Sequence, residues 1–282
     1  MENEKQFFEK LDTFFDILSQ CENCVIAYSG GVDSTLLAKA AQKIMLEKVA
    51  CVLLVSPLLT EDELNAARKT IKDIGLPLFE LKSEETGVPE FVQNDADRCY
   101  YCKKYRMGVI GKWAKEHGYV HILEGSNIDD LFDYRPGMKA LKEFKNVRSP
   151  LLESGLNKLE IRDLAKQWGV PVWDKPSLPC LATRLKYGTP ITLQELDRLQ
   201  HAEKIIASYC PANCNIRVRV YENLARIEVD RQYLPLLTKE GDAEKINKQL
   251  KELGFSFVTV DLAGFKSGSM NEEIVKKAND KV

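Results

Sequence analysis

The sequence predicts an α/β protein, a parallel sheet with helices on both faces, followed by a small α+β C-terminal domain. Three observations carry this. Short apolar runs alternate with amphipathic helical stretches through the first half of the chain. The first of these strands runs straight into a glycine turn, Ser29 to Ser34 reading SGGVDS, that opens a helix. After about Gly188 the pattern changes to helix, strand, strand, helix, strand. We place the domains at 1–186 and 187–282.

The elements follow in order. MENEKQFFEKLDTFFDILSQ is an acidic, helix-patterned start, and Cys24 to Ala27 is a buried strand ahead of SGGVDS. VACVLLVSPL is a second strand, and TEDELNAARKTIKDIG is a helix capped by Thr60 with Glu63 three residues on. LPLFELKS is a third strand, a helix covers Tyr100 to His117, and YVHILEGSN is a fourth strand ending in a loop. Such alternation implies a parallel sheet, which binds ligands at the carboxyl ends of its strands. In the C-terminal part, TLQELDRLQHAEKIIASYC is an amphipathic helix and NIRVRVYENLARIEVD is two strands around a turn. A further helix leads to FSFVTVDLAGF, a last strand.

A chain of 282 residues with 44% hydrophobic and 29% charged residues has the composition of a globular protein. No apolar run is long enough to span a bilayer, and the N-terminus lacks the basic and apolar blocks of a signal peptide, so a cytoplasmic protein is expected. A net charge of −2 argues against a broad electrostatic footprint for nucleic acid. The eight cysteines, in a reducing compartment, point to metal or sulfur chemistry in preference to a disulfide framework.

SGGVDS is a phosphate cradle. Gly30 and Gly31 let the backbone curl and approach a ligand, and amide N–H groups gather at the positive end of the following helix. Ser29, Ser34 and Thr35 add hydroxyls. Asp33 would repel a bare anion and is expected to hold Mg2+. No Lys follows the glycines as a Walker A motif requires, so γ-phosphate transfer is not the expected chemistry. At the same sheet edge lie Ser56 and Pro57 after the second strand, and Gly125 and Asn127 after the fourth. Asp129, Asp130 and Asp133 beyond them can hold magnesium or cap helices, and Arg135 can steady a phosphate or carboxylate.

Cys99 and Cys102 are separated by two residues, and Cys180 lies between the two domains. The pair puts two sulfurs within reach of one metal or cluster, and Lys103, Lys104 and Arg106 around it favour thiolates. Three thiolates can hold a four-iron cluster with one iron open. Zinc or a redox pair are the other readings of a Cys-x-x-Cys. A second possible zinc set comprises Cys21, Cys24, Cys210 and Cys214, while Cys51 reads as a core residue. On NIRVRV, Ile216, Val218 and Val220 point one way and Arg217 and Arg219 the other, with Arg226 and Glu228 sharing the polar face, which by itself reads as solvated.

SGGVDS resembles the loop of the PP-loop ATP pyrophosphatases, in which a substrate oxygen attacks the α-phosphate of ATP and pyrophosphate leaves. Taken with IDDLFDYRPG, the cysteine before an R-x-x-YGT sequence, the RVRV strand and the closing DLAGFKSG segment, the chain resembles the LarE-type sulfur transferases over nearly its whole length. This resemblance implies ATP-dependent adenylation of a carboxylate of pyridinium-3,5-biscarboxylic acid mononucleotide and its thiolation, on the way to the nickel-pincer nucleotide. It implies ATP, Mg2+ and, because Cys99 and Cys102 accompany Cys180, a [4Fe-4S] cluster that carries sulfide in place of a sacrificed Cys180. It also implies Lys103 near the nucleotide phosphates, Ser56 beside the adenosine, and Arg184, Glu203, Arg217, Arg219 and Glu228 near a substrate or phosphate site at a subunit contact. A sulfide source and a homohexamer are the implied partners. The alternatives are a tRNA 2-thiolation enzyme, an amide-forming ligase, and a non-catalytic ATP- or zinc-binding module.

Overall fold

The computed structural model describes residues 2–21, 23–45, 48–132, 135–176 and 179–266. The chain divides into two compact units, Met1–Val88 with Asp97–Leu178, and Pro89–Ala96 with Pro179–Val282.

The first unit is built on a five-stranded, all-parallel sheet. Its strands are β1 (Cys24–Tyr28), β2 (Val49–Val55), β3 (Leu78–Lys82), β4 (His121–Leu123) and β5 (Val147–Arg148), in the order β3-β2-β1-β4-β5. Its helices are α1 (Glu2–Ser19), α2 (Val32–Met45), α3 (Glu61–Ile74), α5 (Arg98–Glu116), α6 (Gly137–Leu141), α7 (Pro150–Glu153) and α8 (Lys158–Gln167). The short α4 (Pro89–Val92) belongs to the second unit.

Period-two alternation sorts the strand side chains onto two cores. Cys24, Ile26 and Tyr28 of β1, with Cys51 and Leu53 of β2, face a core completed by Phe14, Leu36, Ile71 and Leu164. Val25, Val52 and Ile122 face the other way, onto Met107 and Ile110 of α5. Both faces of the sheet are therefore covered, as the near-continuous apolar strands require. The expected cap of α3 is present: Thr60 Oγ1 accepts from the Glu63 amide at 3.2 Å, and the Glu63 carboxylate accepts from the Thr60 amide at 2.7 Å.

The strand order places a topological switch at β1, since β2 pairs on one side of it and β4 on the other. The loops after β1 and β4 open the crevice where sheets of this kind bind ligands. β4 is shorter than the sequence suggests. It ends at Leu123 because Asn127 and Asp130 form a capping box for the 3-10 turn Ile128–Leu131, which takes the backbone out of the sheet.

The second unit carries a three-stranded sheet in the order β6-β7-β8, with β6 (Ile216–Tyr221) and β7 (Leu224–Val229) antiparallel and β8 (Phe257–Val260) parallel to β7. Helices α9 (Leu193–Ala207), α10 (Leu234–Leu237) and α11 (Asp242–Glu252) complete the helix-strand-strand-helix-strand order read from the sequence. Val218 and Val220 of β6 are buried, as are Leu199, Ile206 and Leu250. The opposite face of β6 is not solvated. Arg217, Arg219 and Glu228 are all buried, so the solvated reading of that face is corrected.

Candidate active site

In the first unit, the loop leaving β1 curls as its glycines allow. Gly30 has φ +71, and a Cβ there would lie 2.7 Å from Ala67 Cβ. Thr35 Oγ1 and Ser34 Oγ both donate to Gly31 O, at 2.7 and 3.2 Å, so these two hydroxyls brace the turn from within. Ser29 is exposed, its hydroxyl 3.1 Å from that of Ser34. Asp33 sits in the first turn of α2, half-buried, and its carboxylate accepts from Lys158 Nζ at 2.5 Å and from Asn127 Nδ2 at 3.3 Å.

Gly125, after β4, fits against this loop. A Cβ on it would stand 3.0 Å from Ser34 N and 3.1 Å from Asp33 Cβ, so a side chain fits only if the cradle backbone gives way. Of the acids beyond it, Asp129 accepts from the Lys158 amide at 2.8 Å, and Asp130 closes its capping box and pairs with Arg135 at 2.9 Å. Burial foremost pushes the Asp130 carboxyl up from the usual range, and the negative charge of Asp33 adds to this. Asp133 lies outside the described residues. Asp33 is thus the carboxylate of this group that the cradle itself presents to a cation.

At the end of β2, Ser56 is buried and donates to Glu85 Oε2 at 2.7 Å. Glu85, fully buried, also accepts from Ser83 at 2.8 Å and pairs with Arg106 of α5 at 3.6 Å. Cys99 and Cys102 occupy the first turns of α5 at i and i+3, on one helix face, the first exposed and the second half-buried. Lys103 pairs with Glu124 Oε2 at 3.0 Å. Burial acts to raise the Glu124 carboxyl, but the Lys103 charge and hydrogen bonds from Ser149 and Ser126 outweigh it and hold the group below its ordinary value. α6 closes on the same turn, where a Cβ at Gly137 would meet Cys99 O at 3.3 Å.

In the second unit, Cys180 is half-buried and precedes the 3-10 turn Leu181–Arg184. Arg184 is buried and spends its guanidinium on this turn. Nη1 donates to Pro179 O at 2.5 Å and Cys180 O at 3.2 Å, while Nε and Nη2 hold both oxygens of Glu203 at 2.9 and 3.2 Å. Glu203 Oε1 also accepts from the Val218 amide at 3.1 Å. Arg219 reaches the same turn at Thr183 O, 3.1 Å away, and pairs with Glu228 at 3.0 Å. Arg217 stacks over Phe265 at 5.1 Å. Burial first, then the like charge of Arg184, pulls Arg217 down to about 10. Arg184 and Arg219 thus hold the Cys180 turn, and Arg217, within electrostatic reach of both, completes a buried cationic group offset by Glu203 and Glu228.

The other cysteines carry less chemistry. Burial pushes the Cys21, Cys24 and Cys51 thiols up, which disfavours thiolate ligation. Cys210 is pushed up to about 12 by burial and by its neighbour Cys214. Among the described residues no group of three or more His, Cys, Asp or Glu side chains is arranged to hold a metal ion, and no helix is long and apolar enough to cross a membrane.

Glu85, Glu124, Lys158 and Lys175 are site neighbours that the sequence did not single out; Lys175 Nζ donates to Gly30 O at 3.3 Å. Glu124 had a signal, an acid closing an apolar strand, whereas the two lysines had none.

A parallel sheet whose switch-point strand feeds a glycine phosphate cradle defines a nucleotide-binding α/β domain of the PP-loop type. The pattern of the NAD synthase family matches residues 17–120, which span that cradle. An uncharacterised protein of Synechocystis is 37% identical over 98% of both chains. The pyridinium-3,5-bisthiocarboxylic acid mononucleotide synthase of Lactiplantibacillus plantarum is 32% identical over 95% of both. An uncharacterised protein of Methanocaldococcus jannaschii is 32% identical over 86% of this chain and 90% of its own. The chain belongs to the LarE-type sulfur transferases of the PP-loop superfamily, and by class it is an ATP-dependent enzyme.

Proposed function

We propose that the protein adenylates a carboxylate of pyridinium-3,5-biscarboxylic acid mononucleotide with ATP and converts it to a thiocarboxylate, in nickel-pincer nucleotide biosynthesis. The observation that carries this reading is the cradle at the end of β1, closed by Gly125, in a chain that also holds Cys99 and Cys102 on one helix face. The 32% identity to a synthase of the bisthiocarboxylic product supports it.

The substrate carboxylate attacks the α-phosphorus of ATP, the bond to the bridging oxygen breaks, and pyrophosphate leaves with the electron pair. The amides of the Gly30 to Ser34 turn hold that leaving group at the N-terminus of α2. Asp33 is the residue that would hold Mg2+, and it fits the role because the cradle already draws a cation to it. Lys103, paired with Glu124, would stabilise negative charge growing on the phosphates. Sulfide then adds to the acyl carbon, the bond to AMP breaks, AMP departs with the electron pair, and the proton of the sulfide goes to solvent.

Cys99, Cys102 and Cys180 would hold a [4Fe-4S] cluster, which when bound would supply the sulfur. What supports this reading is that Cys99 and Cys102 lie on one face of one helix and that neither they nor Cys180 are buried. Arg184 and Glu203 shape the Cys180 turn, and Arg217, Arg219 and Glu228 line the cluster we assign to the substrate phosphate. Assembly as a homohexamer and delivery by a separate sulfide source belong to the same reading.

The test is an anaerobic reaction of reconstituted protein with MgATP, sulfide and the pyridinium mononucleotide, with product and intact protein read by mass spectrometry. Thiolated product in molar excess over protein of unchanged mass is expected. Absence of thiolated nucleotide overturns the substrate, and unmodified tRNA is then the next substrate tried. Cys99→Ala should lose iron while keeping ATP binding, and Asp33→Ala should do the reverse.

A further inference from the structure

Lys158 opens α8, directly after the N-cap Asn157. Its backbone N–H is fixed on Asp129 Oδ2 at 2.8 Å, while its side chain returns to the phosphate cradle and places Nζ 2.5 Å from Asp33 Oδ2. The other oxygen of Asp33 takes the Asn127 amide at 3.3 Å. The side chain of Lys158 is 32% exposed and that of Asp33 23%, so water reaches both partners.

A carboxylate in a cradle built for anions needs a counter-charge whenever no metal is present. Lys158 supplies it. An ion pair this open to solvent is weak, so exchanging the ammonium for a divalent cation costs little. A lysine side chain anchored at its backbone can swing from the carboxylate to an adjacent phosphate without disturbing α8.

We propose that Lys158 is a stand-in cation that trades places with the metal. With the cradle empty it neutralises Asp33; when metal-bound nucleotide arrives, Asp33 passes to the metal and the ammonium passes to the pyrophosphate oxygens. It stays there as charge builds on the leaving group, so Lys158 is a further residue that touches the substrate. The ligand class is a diphosphate, free or as part of a nucleotide. This inference rests on the ATP-using reaction proposed above.

Calorimetric titration of inorganic pyrophosphate and of ATP into the full-length protein tests it, first in EDTA and then across a Mg2+ series. In EDTA, Lys158→Gln weakens pyrophosphate binding at least tenfold, and Lys158→Arg stays within threefold of the unaltered protein. In the Asp33→Asn background, where the ammonium is already released, the cost of Lys158→Gln is at least threefold larger than in the unaltered protein. Simple loss of charge would give the same cost in both backgrounds. With ATP, the half-saturating Mg2+ concentration falls at least threefold in Lys158→Gln, because nothing contests Asp33. Equal costs in the two backgrounds, or unaltered pyrophosphate binding in a Lys158→Gln protein with native circular dichroism, overturns the exchange. If the unaltered protein binds neither ligand, the proposed function falls, and the exchange falls with it.

Discussion

Lys103 Nζ lies 3.0 Å from Glu124 Oε2, so the helix that presents Cys99 and Cys102 is pinned to the loop after β4 by one ion pair. The carboxylate is buried and also accepts from the Ser126 hydroxyl at 2.9 Å. The loop after β4 and the cysteine helix therefore share an anchor.

Glu124→Gln keeps the shape of that anchor and removes its charge. Because the folded-state carboxyl sits below its ordinary value, its stabilisation is complete above the ordinary glutamate pKa and is lost as pH falls through the lowered value. The melting temperature of the unaltered protein should fall more steeply below about pH 4.5 than that of the variant. Near neutrality the variant should be less stable by about 1–3 kcal/mol. Parallel melting curves across pH 3–7 would show that the pair contributes nothing.

Gly125→Ala should cost at least tenfold in ATP affinity, because the nearest atom to the new methyl is the Ser34 backbone nitrogen at 3.0 Å, which cannot step aside without opening the cradle. Gly108→Ala, inside α5 with open space around it, is the control and should be slightly stabilising. Calorimetric titration of ATP separates the two; equal affinities would disprove the close approach.

Arg184→Lys retains the charge but cannot hold both Glu203 oxygens together with the carbonyls of Pro179 and Cys180. The expected outcome is ATP affinity within twofold of the unaltered protein and thiolated product reduced at least tenfold. Full product formation would mean the Cys180 turn holds its shape without the guanidinium.

Thr60→Ala removes one half of the capping box on α3 and should destabilise by about 1 kcal/mol in chemical denaturation, with ATP binding untouched. A change in ATP affinity would place α3 in the binding machinery.

The sequence made the first unit legible wherever one element carried its own signal. Strands β1 and β2 are apolar runs bounded by turns, and Thr60 with Glu63 announces the start of α3. β5, two residues long, has no periodicity to read, and α6 and α7 are too short to show a face. The fourth strand looked longer than it is because Glu124 to Asn127 continue the register in sequence while their side chains bind elsewhere. The SGGVDS loop and the cysteines were identifiable by spacing. The partners of the site were not, since Asp33 meets Lys158 across 125 positions and Lys103 meets Glu124 across 21. Alternation located Arg217 and Arg219 on one face but said nothing of what covers it.

Burying three guanidiniums, those of Arg184, Arg217 and Arg219, in one small unit has a thermodynamic corollary. Arg217 gives up part of its hold on its proton, through burial first and the like charge of Arg184 second, so an anion seated beside it would stabilise the folded second unit. Buffer composition then becomes a variable of folding: the protein handled in phosphate or sulfate should outlast the same protein in a zwitterionic buffer of equal ionic strength. Under the proposed function, a phosphorylated substrate bound there would add its own binding free energy to the stability of this unit.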